Sequence, residues 1–269
     1  MTPLSMLRRL TRRTPAPHPQ GSIALVGAGP GAADLLTLRA LRHLQQADVI
    51  FYDRLVDPAV LRLARPRAEK VFVGKEVGAS DWPQARINAV IVAAALRGRR
   101  VVRLKSGDPG IFGRATEELE AARAAGIAVE IVPGITAASA ACASLGRSLT
   151  ERGATDRLML ATATCRPGDP DPDWAGMLRP GTTLALYMGV RKVAAFTAGL
   201  RRAGVPMDLE VTIVSAASTA AERSTVTTLA ALPAVMQAGG FPNPSIIFIR
   251  WSKQHRAAGA VLHLVGKAV

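Results

Sequence analysis

The chain has 269 residues, 49% hydrophobic and 20% charged, so it can build a buried core and is not a disordered chain. Its formal charge is +14, but only 4% of its residues are aromatic, which argues against a base-stacking nucleic-acid platform and leaves a polyanionic small substrate or a plain solubility charge. Two cysteines (Cys142, Cys165) exclude a disulfide framework, four scattered histidines (His18, His43, His255, His263) offer no i, i+4 metal pair, and no apolar run reaches the ~18 residues of a membrane span.

Residues 1–20 carry Arg8, Arg9, Arg12 and Arg13 and alternating prolines without an apolar stretch, and read as a flexible basic tail, not a secretory signal. The expectation is a soluble, cytoplasmic protein. Ile23 to Val26 is a short apolar strand, stopped by Gly27-Ala28-Gly29-Pro30-Gly31. Leu35, Leu38, Leu41 and Leu44 then predict a helix over 34–47. Strands follow at Val49–Tyr52, ending in Asp53, and at Val71–Val73, ending in Gly74-Lys75. A helical period over 83–97 leads into a strand at Arg99–Leu104, then a Gly-Asp-Pro-Gly break at 107–110. A helix over 115–125 and a strand at Val129–Val132 complete a repeated strand–turn–helix pattern. Strands without strict alternation in that pattern predict an α/β domain with a largely parallel sheet.

An Ala- and Ser-rich helix over 135–150 connects to a second unit, and 166–173 is a polar loop. Strands are predicted at Leu158–Ala163, Leu184–Met188, Glu210–Ser215, Ser224–Thr227 and Ile246–Arg250, with helices over 191–203 and 229–238. The expected organisation is an N-terminal α/β domain over 21–136, a C-terminal α/β domain over 137–256 and a tail over 257–269.

Three turns invite a ligand. Gly27-Ala28-Gly29-Pro30-Gly31-Ala32 fits G-x-G-x-x-G/A between strand and helix, and Asp53 stands about where a dinucleotide fold places its ribose acid. Taken alone this points to NAD or FAD, although Pro30 removes an N–H from a loop meant to donate to pyrophosphate. Ser106-Gly107-Asp108-Pro109, followed by Ile111 and Arg114, puts an acid at a strand's carboxyl end, where it can hold a ribose or an amino group. Val132-Pro133-Gly134-Ile135-Thr136-Ala137 offers a hydroxyl and exposed backbone; by itself Thr136 reads as a helix N-cap.

Together VGAGPGAADLLTLRALRHLQQADVIFYDRLV, VGKEVG, VVRLKSGDPGIFGRATEE, VPGITAASAACASLG and LYMGV resemble the S-adenosylmethionine-dependent tetrapyrrole methyltransferases over about residues 22–252. The similarity is strongest to the branch that methylates uroporphyrinogen III. It implies two α/β domains with the active site in the cleft between them, a homodimer without nucleic-acid or membrane partners, and no metal. The implied reaction is methylation at C2 and C7 to give precorrin-2, which feeds sirohaem and cobalamin synthesis. By residue-wise similarity, S-adenosylmethionine (or its product S-adenosylhomocysteine) would meet Pro30, Ser106, Gly107, Asp108, Ile111, Thr136, Ala137, Met188 and Ala217. Asp53 resembles the family's proton acceptor and Lys75 its proton donor. Eight substrate carboxylates suit a basic cleft, with Arg114 placed to hold one.

The chain departs from the family pattern at Ser106 and Gly110, at Ser80-Asp81, and at two second-domain turns, Ala161-Thr162-Ala163-Thr164 and Ser215-Ala216-Ala217-Ser218. These keep open a methyltransferase for a later corrin precursor and a non-catalytic tetrapyrrole-binding paralogue. An NAD-dependent oxidoreductase rests on one glycine turn.

Overall fold

The computed structural model describes residues 21–74, 82–165 and 168–255. The chain divides into two compact units, one up to Ala137 and the other from Ala138 onwards. Lys75, Ser80 and Asp81 lie outside the described residues.

The first unit is built on β1 (Ser22–Gly27), β2 (Val49–Tyr52), β3 (Glu69–Phe72), β4 (Arg100–Lys105) and β5 (Ala128–Val132). They form one sheet in the order β3-β2-β4-β1-β5, every pair parallel. The lack of strict alternation in the strand sequences has a direct cause: both faces of the sheet are covered. Ala24 and Val26 of β1 pack into one core with Ala40, Leu44, Ile50 and Val60. Ile23 and Leu25 pack into another, with Phe51, Ile87, Ile91 and Ala122. Helices α1 (Leu38–Gln46) and α2 (Pro58–Arg62) cover the first face, and α3 (Gln84–Leu96) and α4 (Ala115–Ala124) the second.

Strands β1 and β4 are neighbours, yet the chain leaves β1 for α1 on one face and β4 for α4 on the other. The crevice beyond their carboxyl ends is therefore a topological switch point, the place where open α/β sheets bind ligands.

Helix α5 (Ala137–Ser144) opens at the boundary, and the second unit goes on with β6 (Arg157–Thr162), α6 (Trp174–Met177), β7 (Thr182–Tyr187), α7 (Val193–Arg202), β8 (Glu210–Ser215), β9 (Arg223–Thr228), α8 (Leu232–Gly239) and β10 (Ser245–Trp251). Its sheet is mixed, in the order β6-β7-β10-β8-β9, with β10 antiparallel to both neighbours. Trp174, Phe196, Leu200, Leu232 and Met236 from the helices close over Leu184, Leu186, Val211, Ile213, Ile247 and Ile249.

Several boundaries differ from the sequence reading. The helix over 34–47 is broken: Ala33–Leu35 is a 3₁₀ turn, Leu36 is extended, and α1 starts where the Thr37 hydroxyl accepts the Ala40 N–H at 3.1 Å. The helix over 135–150 ends at Ser144, because Gly146 turns left-handed and the Arg147 N–H bonds back to the Cys142 carbonyl at 3.0 Å. Helix α2 was not foreseen, although Asp57 caps it at Ala59 N (2.7 Å) and Pro58 opens it.

Candidate functional site

Three turns meet at the switch point. The Gly29 N–H donates to the Gly107 carbonyl at 3.2 Å, and the Gly107 N–H returns a bond to the Gly29 carbonyl at 2.7 Å. Both glycines are left-handed, at φ +75° and +69°. A Cβ on Gly134 would lie 2.2 Å from the Gly107 carbonyl oxygen and 2.9 Å from Gly27 Cα. The turns after β1, β4 and β5 thus touch backbone to backbone, which only hydrogen in place of a side chain permits.

Asp108 staples them. Its Oδ1 accepts the Gly110 N–H at 2.7 Å and its Oδ2 the Gly134 N–H at 3.0 Å. Pro30, Ser106, Ile111, Thr136 and Ala137 are half-buried around this junction and Gly107 is buried within it. The structure therefore gathers the first-unit candidates at one crevice. The turn after β1 leads into a 3₁₀ turn and an extended residue, so no α-helix N-terminus opens directly on it, as a pyrophosphate cradle requires.

Asp53 follows β2 at the same, carboxyl end of the sheet. Its Oδ1 accepts from Arg103 Nη2 at 2.6 Å, and its side chain is 31% exposed. Arg103, on β4, is buried; its Nε donates to Glu118 Oε1 at 2.9 Å and its Nη1 to the Leu104 carbonyl at 3.2 Å. Glu118, on α4, has no exposed side-chain surface and also takes both carboxylate bonds from buried Lys105 Nζ, at 3.0 and 2.9 Å. Gln84 of α3 adds a bond to Glu118 Oε1 at 3.2 Å. Burial pulls the Arg103 guanidinium down, but the Asp53 and Glu118 charges outweigh it and raise its pKa. Burial, then the nearby Arg103 charge, lower that of Lys105 against the pull of Glu118 and Asp53.

Arg114 lies where the loop enters α4, and its guanidinium is already forked onto Glu117, with both bonds at 2.7 Å. That pair holds its charged form and raises its pKa against mild desolvation. The side chain is exposed, at the outer end of the loop over the crevice.

In the second unit, β6, β7 and β8 all run the same way, so the residues after them share one end of the sheet. Thr164, Met188 and Ala217 stand there, with Thr164 Oγ1 at 3.5 Å from the Met188 carbonyl. The two departing turns therefore flank Met188. Glu222 accepts the Ser218 N–H at 2.5 Å, and Ala216 N–H donates to the Pro244 carbonyl at 2.9 Å.

Backbone strain falls in the same places. The non-glycine residues with positive φ among those described are Phe112, Arg114, Met188, Ala216 and Ser218, between 49° and 63°. All sit in the loop after β4 or at this end of the second sheet. Strain of this kind, about 1–3 kcal/mol per residue, collects at functional sites. Sequence reasoning missed Arg103, Lys105 and Glu118 as a group. The signal was two cations at i, i+2 within a strand that the pattern otherwise buries. Among the described residues no group of His, Cys, Asp and Glu is arranged to hold a metal, and no helix is long and apolar enough to cross a membrane.

Comparison with known proteins identifies the family. The profile of the Tetrapyrrole (Corrin/Porphyrin) Methylases matches residues 22–233, so the chain belongs to that family of methyltransferases. Among individual relatives, a siroheme synthase of Gluconacetobacter diazotrophicus is 44% identical over 88% of this chain and 50% of its own length. One from Chromobacterium violaceum is 45% identical over 85% of this chain and 49% of its own. The chain thus spans about half the length of these curated relatives. Uroporphyrin-III C-methyl transferase from Thermus thermophilus, complexed with S-adenosyl homocysteine, superposes with a TM-score of 0.73 at 36% identity, covering 86% of this chain and 97% of that one. Cobalt precorrin-4 methyltransferase superposes with a TM-score of 0.77 at 28% identity, covering 86% and 95%.

Proposed function

We propose that this chain methylates uroporphyrinogen III at C2 and C7, drawing both methyl groups from S-adenosylmethionine and giving precorrin-2. The observation that carries this reading is the junction of three glycine turns at the switch point, with a half-exposed carboxylate, Asp53, beside it. The 36% identity to a uroporphyrin-III C-methyl transferase and the 44% identity to a siroheme synthase support the substrate.

The adenosyl ligand fits what the residues offer: free space at the Gly107 Cα, where a Cβ would meet nothing closer than 4.0 Å, and half-buried side chains around it. Ser106, Gly107, Asp108, Ile111, Pro30, Thr136 and Ala137 are proposed to hold it, and Met188 and Ala217 are proposed as contacts on the family resemblance alone. When bound, S-adenosylmethionine supplies an electrophilic sulfonium methyl group. The protein's work is then mostly orientation. Asp53 takes the proton that the tetrapyrrole loses once a ring carbon is methylated, from a ring N–H or a bridging methylene since the methylated carbon itself carries no hydrogen, and Lys75 is the proposed proton donor. Arg114 releases Glu117 to bind a substrate carboxylate in the same two-bond geometry. The active form is proposed to be a homodimer in the cytoplasm.

A methyltransferase for a later corrin precursor is the second reading, favoured by the altered turns that flank Met188. Anaerobic incubation with S-adenosylmethionine and uroporphyrinogen III, followed by mass analysis, tests both. A doubly methylated product is expected. An unchanged substrate, with turnover of a methylated precorrin instead, would replace the first reading by the second.

A further inference from the structure

We infer that Arg103 is a positioning residue that fixes the Asp53 carboxylate for proton transfer, with Glu118 as its buried anchor. The inference rests on the proposed role of Asp53 and adds the part of the protein that makes that role geometrically possible.

Four charges form a continuous chain from the interior to the carboxyl end of the sheet. Glu118 is wholly buried, Lys105 and Arg103 are 4% and 3% exposed, and Asp53 is the one member that solvent reaches, at 31%. Arg103 spends its guanidinium in three directions: Nε to Glu118, Nη1 to the Leu104 carbonyl, Nη2 to Asp53. A planar group bonded in this way cannot rotate without breaking at least one bond, so the atom it offers Asp53 has a fixed place.

Glu118 is fixed in turn. It takes bonds from Arg103, Lys105 and Gln84, and α4 is tied to α3 where Asn88 Nδ2 donates to the Glu117 carbonyl at 3.0 Å. The orientation of Asp53 is therefore set from β4, α3 and α4 together, although Asp53 itself lies in the turn after β2. Lys105 balances the second negative charge, so the four groups sum to zero. An ensemble of this kind is a poor source of net stability, because desolvation consumes most of the attraction. Its physical return is geometry: a carboxylate at a loop start held to one rotamer, where a displacement of about 1 Å can cost a hundredfold in rate.

The test compares Arg103→Gln and Arg103→Lys, each alone and combined with Asp53→Asn. Calorimetry with S-adenosylhomocysteine reports whether the site is folded, and kcat and KM for uroporphyrinogen III are measured separately. Lysine retains the charge that Glu118 requires but cannot bridge to Asp53 while bound to it. Both single variants are expected to bind S-adenosylhomocysteine normally, to keep KM within about twofold, and to lose kcat by roughly ten- to hundredfold. In the Asp53→Asn background the same changes at Arg103 are expected to cost nothing further. Full kcat in Arg103→Gln, rescue by Arg103→Lys, equal losses in both backgrounds, or failure of both variants to fold would overturn the inference and leave Arg103 a core residue. Full activity of Asp53→Asn alone would instead refute the role of Asp53.

Discussion

Gly134→Ala is the sharpest perturbation of the proposed ligand crevice. Gly134 does not need a left-handed backbone, so the added methyl acts only through space. Its Cβ would lie 2.2 Å from the Gly107 carbonyl oxygen, where contacts below 3.0 Å are essentially never tolerated, so one turn must retreat by about 0.8 Å. Neither turn can move alone. Gly107 is bridged to Gly29, and the Gly134 N–H is bonded to Asp108. Overpacking costs about 1–3 kcal/mol, and loss of the charge-assisted Asp108 bond about 1.5–3 kcal/mol more. The two sum to about 2.5–6 kcal/mol, and if even the lower figure is expressed as weaker binding at the crevice it corresponds to roughly a hundredfold in affinity. Isothermal calorimetry with S-adenosylhomocysteine should show that weakening. Gly126→Ala is the control: at φ +70° with nothing within 4 Å, it should cost about 1–2 kcal/mol of stability and leave the ligand affinity unchanged. Normal binding by Gly134→Ala would refute the placement of the ligand at the three-turn junction.

Three further outcomes are expected. Arg114→Ala should raise KM for uroporphyrinogen III by about tenfold, the worth of one exposed charge-assisted contact, and barely alter thermal stability, since an exposed pair such as Arg114–Glu117 contributes little. Asp48 resists burial, which alone would raise its pKa, through Arg100 and Arg65, and the net shift is downward. Its contribution to stability is therefore present above the ordinary carboxylate value near 4 and lost as pH falls through the depressed folded value, so urea melts of Asp48→Asn should show a shallower acid loss than wild type. Sedimentation under reducing conditions should give a species near twice 28.2 kDa; a clean monomer at micromolar concentration would exclude the homodimer.

The sequence makes the strands of the first unit legible because their environment is simple. Ile23-Ala24-Leu25-Val26 and Val49-Ile50-Phe51 are apolar on both faces, and the sheet is covered on both. Helix limits were less legible where one side chain decided them. Thr37 starts α1 four residues after the apolar period suggests, and Gly146 cuts α5 short. The three glycine turns announce a ligand crevice, but not that Gly27, Gly107 and Gly134 touch one another, since that depends on the strand order β4-β1-β5. Asp53 was singled out correctly as a strand-end acid. Its partners were not, because Arg103 is 50 positions away and joins it only through the pairing of Phe51 with Arg103 in adjacent strands.

That pairing bears on how the family's chemistry is set into the fold. In a parallel sheet, side chains at successive odd positions of one strand share a face, so Arg103 and Lys105 both turn toward the side that α4 covers. An apolar strand would have bound the helix more cheaply. Placing two cations there commits α4 to supply Glu118, and places that anion beneath the turn after β4. The same strand therefore does two things. Its backbone end forms the Gly107–Gly29 bridge of the proposed ligand crevice, and its Arg103 side chain bonds Asp53 just past the end of the neighbouring strand. A shift of β4 along its axis moves both together, so the distance between the proposed ligand site and the acid is set by one strand's register, not by two independent loops.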